Sequence, residues 1–230
     1  MTPSKISGVR GRRLRGVLFD LDGTLMGSKF PSIEAKAAIL RRLEELGIET
    51  SGITPEMIGM MEILTEVRAK VRLSGTLSLA EVEAELGGVL DKFDIASLSN
   101  SELREGARLV LDSLAARGFK LGIVTSSGRK GTNLVLERFG LTRYFSAVIT
   151  RNDTHSPKPS GEGILRAVRI LGCNRSDVAY VGDSWVDILA ARDAGVKAIA
   201  LIGGSSPLER LRQESPDVLI KSLHELPDIL

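Results

Sequence analysis

The chain has 230 residues, of which 43% are hydrophobic and 26% charged, typical of a globular protein with one moderate domain or a core with an insertion. Lys and Arg number 31 against 29 Asp and Glu, and the formal net charge of +2 gives no argument for a nucleic-acid partner. No apolar run reaches the ~18 residues that span a bilayer, and the single cysteine, Cys173, cannot form an intramolecular disulfide. We therefore expect a cytoplasmic protein, monomeric or homodimeric, that binds neither membrane nor nucleic acid.

The first predicted strand follows a basic segment. Residues 1–15 contain five Lys and Arg residues and few apolar ones, which predicts a solvated tail. The apolar run Gly16–Phe19 is typical of a buried parallel strand, and two acids, Asp20 and Asp22, follow it. Open α/β sheets bind ligands at the carboxyl ends of their strands. Two neighbouring carboxylates repel each other unless a cation or a proton lies between them. The pair therefore favours Mg²⁺-assisted chemistry, with one acid as ligand or nucleophile and the other as proton carrier.

Residues 29–100 are predicted to form a helical insertion. Their apolar residues recur at helical spacing in three segments, which are 31–46, 54–71 and 78–93. No strand-like alternation appears between these segments. We therefore predict a helical cap domain over residues 29–100. It interrupts a core domain of residues 16–28 and 101–230, and it could act as a lid on the carboxyl edge of the core sheet.

From residue 101 onward, helical and strand patterns alternate. The predicted helices cover residues 101–118, 130–139, 161–171, 186–194 and 207–213. The predicted strands cover residues 119–125, 147–150, 178–181, 196–202 and 217–220. Such alternation predicts a Rossmann-like α/β fold, in which a parallel sheet carries helices on both faces.

Three more strand ends carry polar residues. Thr125 and Ser126 can offer a hydroxyl and a backbone N–H to a phosphate oxygen, although they can also simply cap the next helix. Lys158 lies between two prolines, where a rigidly held lysine can offset phosphoryl charge and separate two carboxylates. Its alternative is an exposed loop lysine. Asp183 ends a buried strand and suits a hard cation, or it caps a helix. Asp187, one helical turn later, can orient a metal-bound water.

These residues form four motifs that lie in order along the chain. The motifs are Asp20-x-Asp22-Gly-Thr24, Thr125, Lys158 and Gly182-Asp183-x-x-x-Asp187. They resemble the four motifs of the haloacid dehalogenase-like hydrolase superfamily. The resemblance runs from about residue 16 to the C-terminus, and it is greatest to the phosphoglycolate phosphatase and β-phosphoglucomutase group, which has a helical cap after the first motif. Val186 departs from the pattern, since many relatives carry asparagine there.

The resemblance implies a mechanism through an aspartyl-phosphate. Asp20 attacks phosphorus, and Asp22 protonates the leaving alcohol and later deprotonates the attacking water. The cofactor Mg²⁺ is held by Asp20, by the backbone carbonyl of Asp22 and by Asp183, with Asp187 behind it. The implied substrate-binding residues are Thr24, Thr125, Ser126 and Lys158. Because family dehalogenases lack an acid at the position of Asp22, dehalogenation is disfavoured.

Three functions are weighed. The leading prediction is a Mg²⁺-dependent phosphatase of small phosphorylated metabolites resembling phosphoglycolate. The alternative is a β-phosphoglucomutase-like phosphomutase, which shares every core residue, and the third is a non-catalytic ligand-binding or regulatory module of the same fold. Arg68 and Arg72 share one face of a predicted cap helix and could contact the substrate's leaving group, although a solvated charged face is the simpler interpretation.

Overall fold

The computed structural model describes residues 14–27, 30–56, 63, 66, 67, 69–71 and 78–230. The described residues belong to two compact units. The first unit combines the N-terminal part up to Lys29 with Leu98–Leu230, and the second is Phe30–Ser97. Within the described part of the chain, no helix is both long enough and apolar enough to cross a membrane.

A six-stranded parallel sheet forms the centre of the first unit. Its strands are β1 (Gly16–Phe19), β2 (Lys120–Val124), β3 (Phe145–Ile149), β4 (Val178–Gly182), β5 (Lys197–Leu201) and β6 (Val218–Ile220). They lie in the order β3-β2-β1-β4-β5-β6. The central strand β1 pairs with β2 and β4, and Phe19 lies beside Ile123 on one side and Val181 on the other. The predicted α/β fold with a parallel sheet is confirmed.

The described helices connect these strands or belong to the second unit. They are α1 (Ser32–Glu45), α2 (Leu79–Ser99), α3 (Ala107–Ala116), α4 (Arg129–Arg138), α5 (Glu162–Leu171), α6 (Trp185–Ala194), α7 (Leu208–Gln213) and α8 (Leu226–Ile229). Short 3₁₀ turns cover Thr142–Tyr144, Arg151–Asp153, Arg175–Asp177 and Leu223–Glu225.

The sheet has an apolar layer on each face because alternate strand residues point to opposite sides. From β1, Val17 and Phe19 pack with α3 and α4 on one face. Leu18 points to the other face and packs with α5 and α6. Both layers exclude water from the strands, and this is why the strands read as continuous apolar runs in the sequence.

The second unit has an apolar cluster of its own. Ile39 and Leu43 from α1 pack there with Leu86 and Leu90 from α2. Residues 63, 66, 67 and 69–71 of the second predicted helix are helical, and the rest of that helix lies outside the described residues. Whether this unit acts as a cap domain stays a prediction.

Two helices have boundaries that differ by more than one turn from the predictions. The helix predicted from residue 101 begins at Ala107. The reason is a long-range backbone pairing, in which the Gly27 N–H donates to the Glu102 carbonyl at 2.8 Å and the Arg104 N–H donates to the Leu25 carbonyl at 2.9 Å. The helix that starts near residue 78 extends to Ser99, beyond its predicted end.

The predicted tail is too long at its C-terminal end. Leu14 is buried in the apolar layer, and the Arg15 N–H donates to the Asp177 carbonyl at 2.8 Å, so both residues belong to the core unit. Residues 1–13 of the predicted tail lie outside the described residues. At the other terminus, helix α8 follows the last strand and was not predicted.

Candidate active site

The carboxyl ends of the three central strands bring distant residues together. Asp20 follows β1 and Thr125 follows β2, while Asp183 follows β4 directly. The Asp20 N–H donates to the Val181 carbonyl at 2.9 Å, and the Thr125 N–H donates to the Ile149 carbonyl at 3.0 Å. These bonds extend the sheet pairing by one residue. The side chains that follow the strands therefore start from a rigid backbone.

Lys158 is the centre of a buried polar network. Its Nζ donates to Asp20 Oδ1 at 2.7 Å, to Asp187 Oδ1 at 2.6 Å and to the Tyr180 hydroxyl at 3.0 Å. The Tyr180 hydroxyl in turn donates to the Val124 carbonyl at 2.8 Å. All donors of the ammonium are satisfied although the lysine side chain is only 9% exposed. The loop lysine of the sequence therefore lies inside the molecule, between two carboxylates.

The network carries more negative than positive charge. Burial raises the pKa of Asp20 and the nearby Asp187 and Asp183 carboxylates raise it further, so that this pKa lies well above its usual value despite Lys158. Burial alone lowers the pKa of Lys158, but Asp187 and Asp20 outweigh it, and the lysine pKa is well above its usual value. The excess of buried carboxylates contributes to both pKa shifts, and for Asp20 burial is the larger cause.

Asp183 is held by two loops. Its Oδ1 accepts a hydrogen bond from the Thr24 hydroxyl at 2.9 Å, and its Oδ2 accepts one from the Ser205 N–H at 2.6 Å. Burial raises the pKa of Asp183 and the Asp187 carboxylate adds to the shift, while the bonds from Ser205 and Thr24 lower it in part. Thr24 is fully buried. Its hydroxyl donates to Asp183, and its predicted contact with substrate stays a prediction.

The buried carboxylates fit a divalent metal ion. Asp20, Asp183 and Asp187 each offer a carboxylate oxygen, and these oxygens lie within 4.8 Å of one another. An all-oxygen donor set with excess negative charge is the kind of site that hard cations such as Mg²⁺ prefer. Of the three, Asp187 is the most committed to protein donors, since its Oδ2 also accepts from the Ser184 hydroxyl at 2.6 Å. Its predicted role, orienting a metal-bound water, stays a prediction.

Asp187 is placed by the start of helix α6. Ser184 caps this helix, and the Ser184 N–H donates to Asp187 Oδ2 at 3.0 Å while the Asp187 N–H donates to Ser184 Oγ at 3.3 Å. Such a reciprocal capping box fixes the side-chain rotamer of the residue at the third helical position, which is Asp187 here. Ser184, and not Asp183, is the cap, so Asp183 is not used in the helix start.

Asp22 contacts the loop after β2. The Ser127 hydroxyl donates to Asp22 Oδ2, and the Ser127 N–H donates to the Thr125 hydroxyl oxygen at 3.1 Å. Thr125 and Ser127 are buried, whereas Ser126 is exposed. The proposed proton carrier and the proposed phosphate-binding loop are therefore directly connected. The roles of Asp22, Thr125 and Ser126 stay predictions.

Sequence reasoning missed three polar partners in this site. Tyr180 lies in the middle of an apolar strand, and Ser205 contributes only its backbone N–H. Ser127 stands in a run of small polar residues in which roles were predicted for Thr125 and Ser126 but not for Ser127. A tyrosine inside a buried strand was the one available signal, because a buried hydroxyl needs a partner.

Arg68 and Arg72 were predicted to share a face of a cap helix, and Trp185 begins helix α6. Arg68 and Arg72 lie outside the described residues, so their predicted contact with substrate stays a prediction. Trp185 follows Ser184. Its ring packs under the Arg210 guanidinium, whose central carbon lies 4.6 Å from the ring centroid.

Comparisons with known proteins agree with this geometry. The sequence model described as Haloacid dehalogenase-like hydrolase matches residues 17–201. The chain is 30% identical to a protein named as a candidate pyrophosphatase PpaX from Caldanaerobacter subterraneus, over 95% of each chain. It is 31% identical to a phosphoglycolate phosphatase from Pseudomonas fluorescens, over 94% of this chain and 80% of that one. A solved structure of a candidate haloacid dehalogenase-like hydrolase from Bacteroides fragilis superimposes with a TM-score of 0.67 and 26% identity, over 93% of this chain and 100% of that one.

Proposed function

The chain belongs to the haloacid dehalogenase-like hydrolase family, and from this premise we propose that it is a Mg²⁺-dependent phosphatase of small phosphorylated metabolites. The predicted family and the predicted enzyme class, a phosphatase, are confirmed. The cofactor and the substrate, a phosphomonoester resembling phosphoglycolate, are proposed. So are the cytoplasmic location and the monomeric or homodimeric state.

One observation carries the proposal. Asp20 lies at the carboxyl end of the central strand with an ammonium 2.7 Å from one carboxylate oxygen and two further buried carboxylates close by. A carboxylate that is bound on one oxygen by Lys158 keeps a defined orientation, which a nucleophile needs. The metal ion held by Asp20, by Asp183 and by the Asp22 carbonyl would supply Lewis-acid neutralisation of the anionic substrate.

The other residues then have separate tasks. Asp20 attacks phosphorus, and the bond from phosphorus to the alcohol oxygen breaks as the bond to the Asp20 oxygen forms. Asp22 donates a proton to the departing alkoxide. Lys158, the Thr125 hydroxyl and the Ser126 N–H hold the phosphoryl oxygens as charge builds on them. Thr24 positions Asp183.

The second half-reaction uses the same acid in reverse. Asp22 now takes a proton from a water molecule, whose oxygen attacks the phosphorus of the aspartyl-phosphate. The bond between phosphorus and Asp20 breaks, and inorganic phosphate and the free Asp20 carboxylate are the products. Because the Ser127 hydroxyl binds Asp22, the acid keeps its position between the two steps.

A phosphate-release assay on an aryl phosphate with Mg²⁺ tests the proposal. Replacing Asp20 by Asn removes the nucleophile, and we expect the rate to fall by a factor of about 10³ or more. The control is Asp112→Asn, because Asp112 lies on helix α3 and bonds the exposed Tyr144 hydroxyl. Undiminished activity of Asp20→Asn would falsify the assignment of the nucleophile.

The similarity to a candidate pyrophosphatase favours a second substrate class, diphosphates. A panel that contains 2-phosphoglycolate, inorganic pyrophosphate and a sugar 1-phosphate separates the functions. Phosphate release from the first or second identifies the substrate class. Conversion of the sugar 1-phosphate into its 6-phosphate without phosphate release would instead identify the phosphomutase alternative. A ligand that raises the melting temperature without turnover would support the non-catalytic module.

A further inference from the structure

Two loops approach the Asp183 carboxylate closely at glycine residues, Gly23 and Gly204. A Cβ atom on Gly23 would lie 2.4 Å from an Asp183 carboxylate oxygen, and one on Gly204 would lie 2.2 Å from the same oxygen. Both distances are far below contact distance, so the two backbones approach the carboxylate more closely than any other residue allows. The positive φ of Gly23, 78°, adds a second reason for glycine there.

The same two loops are joined by one side chain, Arg104. Its Nη1 donates to the Gly23 carbonyl and its Nη2 donates to the Ile202 carbonyl at 2.9 Å. Ile202 begins the loop that contains Gly204 and the N–H donor Ser205. A guanidinium is a rigid planar group with several N–H donors, so it can bridge two carbonyls at a fixed separation.

The backbone of Arg104 is fixed as well. Its N–H donates to the Leu25 carbonyl at 2.9 Å, next to the pairing of Gly27 with Glu102. The side chain is half-buried, and within the described part of the chain no carboxylate forms an ion pair with it. The guanidinium therefore bonds main-chain carbonyls where an ion pair would be the usual arrangement.

We propose that Arg104 is a positioning residue for the metal ligand Asp183. It fastens the Gly23 loop to the Gly204 loop and so keeps the carboxylate between the Thr24 hydroxyl and the Ser205 N–H. This inference rests on the proposed Mg²⁺ site. Removing a group that orients a metal ligand typically lowers the metal affinity by roughly 10–100-fold.

The direction of the change in Mg²⁺ affinity distinguishes a positioning role of Arg104 from a purely electrostatic one. A cation near a metal site repels the metal ion, so removing the Arg104 charge alone would tighten Mg²⁺ binding. Losing the bridge between the two loops would weaken Mg²⁺ binding. Arg104→Met removes both the charge and the bridge, whereas Arg104→Lys keeps the charge but offers a single nitrogen in place of the two separate Nη donors that reach the two carbonyls.

The experiment measures Mg²⁺ binding directly. The chain has a single tryptophan, Trp185, two residues after Asp183, and the backbone N–H of Trp185 donates to the Ser206 hydroxyl at 3.1 Å. Trp185 fluorescence and calorimetry with Mg²⁺ alone therefore report on the site without a substrate. The control is Arg108→Met, since the Arg108 side chain donates to the Phe139 carbonyl, away from the metal ligands. Circular dichroism shows whether each variant is folded.

We expect Arg104→Met to weaken Mg²⁺ binding by about 10-fold or more, Arg104→Lys to have a smaller effect and Arg108→Met to stay within about twofold of wild type. With saturating Mg²⁺, the KM for substrate should not change. Wild-type affinity in both Arg104 variants, or tighter binding in Arg104→Met, overturns the inference. If Arg104→Met does not fold, weakened binding by Arg104→Lys supports the inference and unchanged binding overturns it. A wild-type protein that binds no Mg²⁺ overturns the proposed cofactor as well.

Discussion

Lys158 has a different environment from the one that its position in the chain suggests. The lysine stands in a loop, yet its ammonium is bound by two carboxylates and a phenol hydroxyl in the interior. Removing one partner from a buried ion pair typically costs about 3–5 kcal/mol, because the other charge stays buried without compensation. Lys158 therefore holds the site together, and its proposed task is to offer charge to a phosphoryl group.

The hydrogen bond from Ser127 to Asp22 can be tested with a single substitution. The Ser127 hydroxyl donates to the Asp22 carboxylate, and we expect Ser127→Ala to lower kcat by about 10-fold, because misplacing a proton donor loses part of its 10²–10⁴-fold contribution. The matched control is Ser126→Ala. Ser126 is exposed, and its proposed contact uses the backbone N–H, which the substitution keeps.

Steady-state kinetics on an aryl phosphate measure both variants. A Ser127→Ala enzyme with wild-type kcat would show that Asp22 needs no support from the loop after β2. A loss of equal size in Ser126→Ala would show that the loop is simply sensitive to any change, and that the hydrogen bond to Asp22 has no special part.

At the scale of elements, short capped turns place the functional side chains. The capping box of Ser184 and Asp187 starts helix α6. A similar capping box of Thr150 and Asp153 stabilises the turn Arg151–Asp153 after β3. This second turn leads into the loop that contains Lys158. Because the turn is short, its stability depends on the cap bonds more than on apolar burial.

Asp153 makes this turn dependent on pH. Its Oδ2 accepts from the Thr150 N–H and from the Thr150 hydroxyl, each at 2.8 Å, and from the Arg129 guanidinium. Burial raises the pKa of Asp153, but the bonds from Thr150 and the charge of Arg129 outweigh it, so the folded-state pKa lies below its usual value. An acid with a lowered pKa contributes stability above its unfolded-state pKa, and this stability is lost as the pH falls through the folded-state pKa.

We therefore expect Asp153→Asn to reduce the free energy of unfolding at pH 7 by about 1 kcal/mol. The difference from wild type should stay constant down to about pH 5 and shrink below about pH 4, where the unfolded chain begins to bind protons. Urea unfolding followed by Trp185 fluorescence at several pH values measures it. A difference that stays the same down to pH 3 would contradict the assignment.

At the scale of the whole molecule, the charge distribution is uneven. The chain as a whole carries a formal net charge of only +2, yet the carboxyl edge of its sheet buries three carboxylates with one ammonium. Such a cluster destabilises the folded state unless a cation or a proton joins it. The fold thus has an energetic reason to bind a divalent ion before any substrate arrives.

Adding and removing metal tests this. A ligand present at 100 times its Kd stabilises the folded state by about 2.7 kcal/mol, so we expect the melting temperature to rise with Mg²⁺ and to return to its starting value with EDTA. Asp183→Asn should lose most of this rise because it removes one carboxylate from the cluster. NaCl at equal ionic strength is the control. An equal rise with NaCl would indicate general screening, and it would argue against a site at the sheet edge.

Much of the fold follows from the sequence because its signals are local. A strand that is buried on both faces must be apolar nearly throughout, so β1, with the sequence Gly-Val-Leu-Phe, and β4, with the sequence Val-Ala-Tyr-Val-Gly, are visible as continuous runs without charged residues. The predicted helix start at residue 101 was wrong for the opposite reason, since the helix begins at Ala107. Residues 102–104 pair with residues 25–27, and a pairing across the insertion leaves no local pattern.

Asp20, Asp22, Lys158 and Asp183 could be proposed as site residues from the sequence because their types and their places after predicted strands are local features. Their partners were decided by the tertiary structure. Strand β1 lies between β2 and β4, and this order brings Lys158 to Asp20, 138 positions away, and Thr24 to Asp183, 159 positions away. Contacts over such separations depend on strand order and on the shape of loops. For that reason the bridge of Arg104 and the bond of Ser127 to Asp22 appear only in the folded chain.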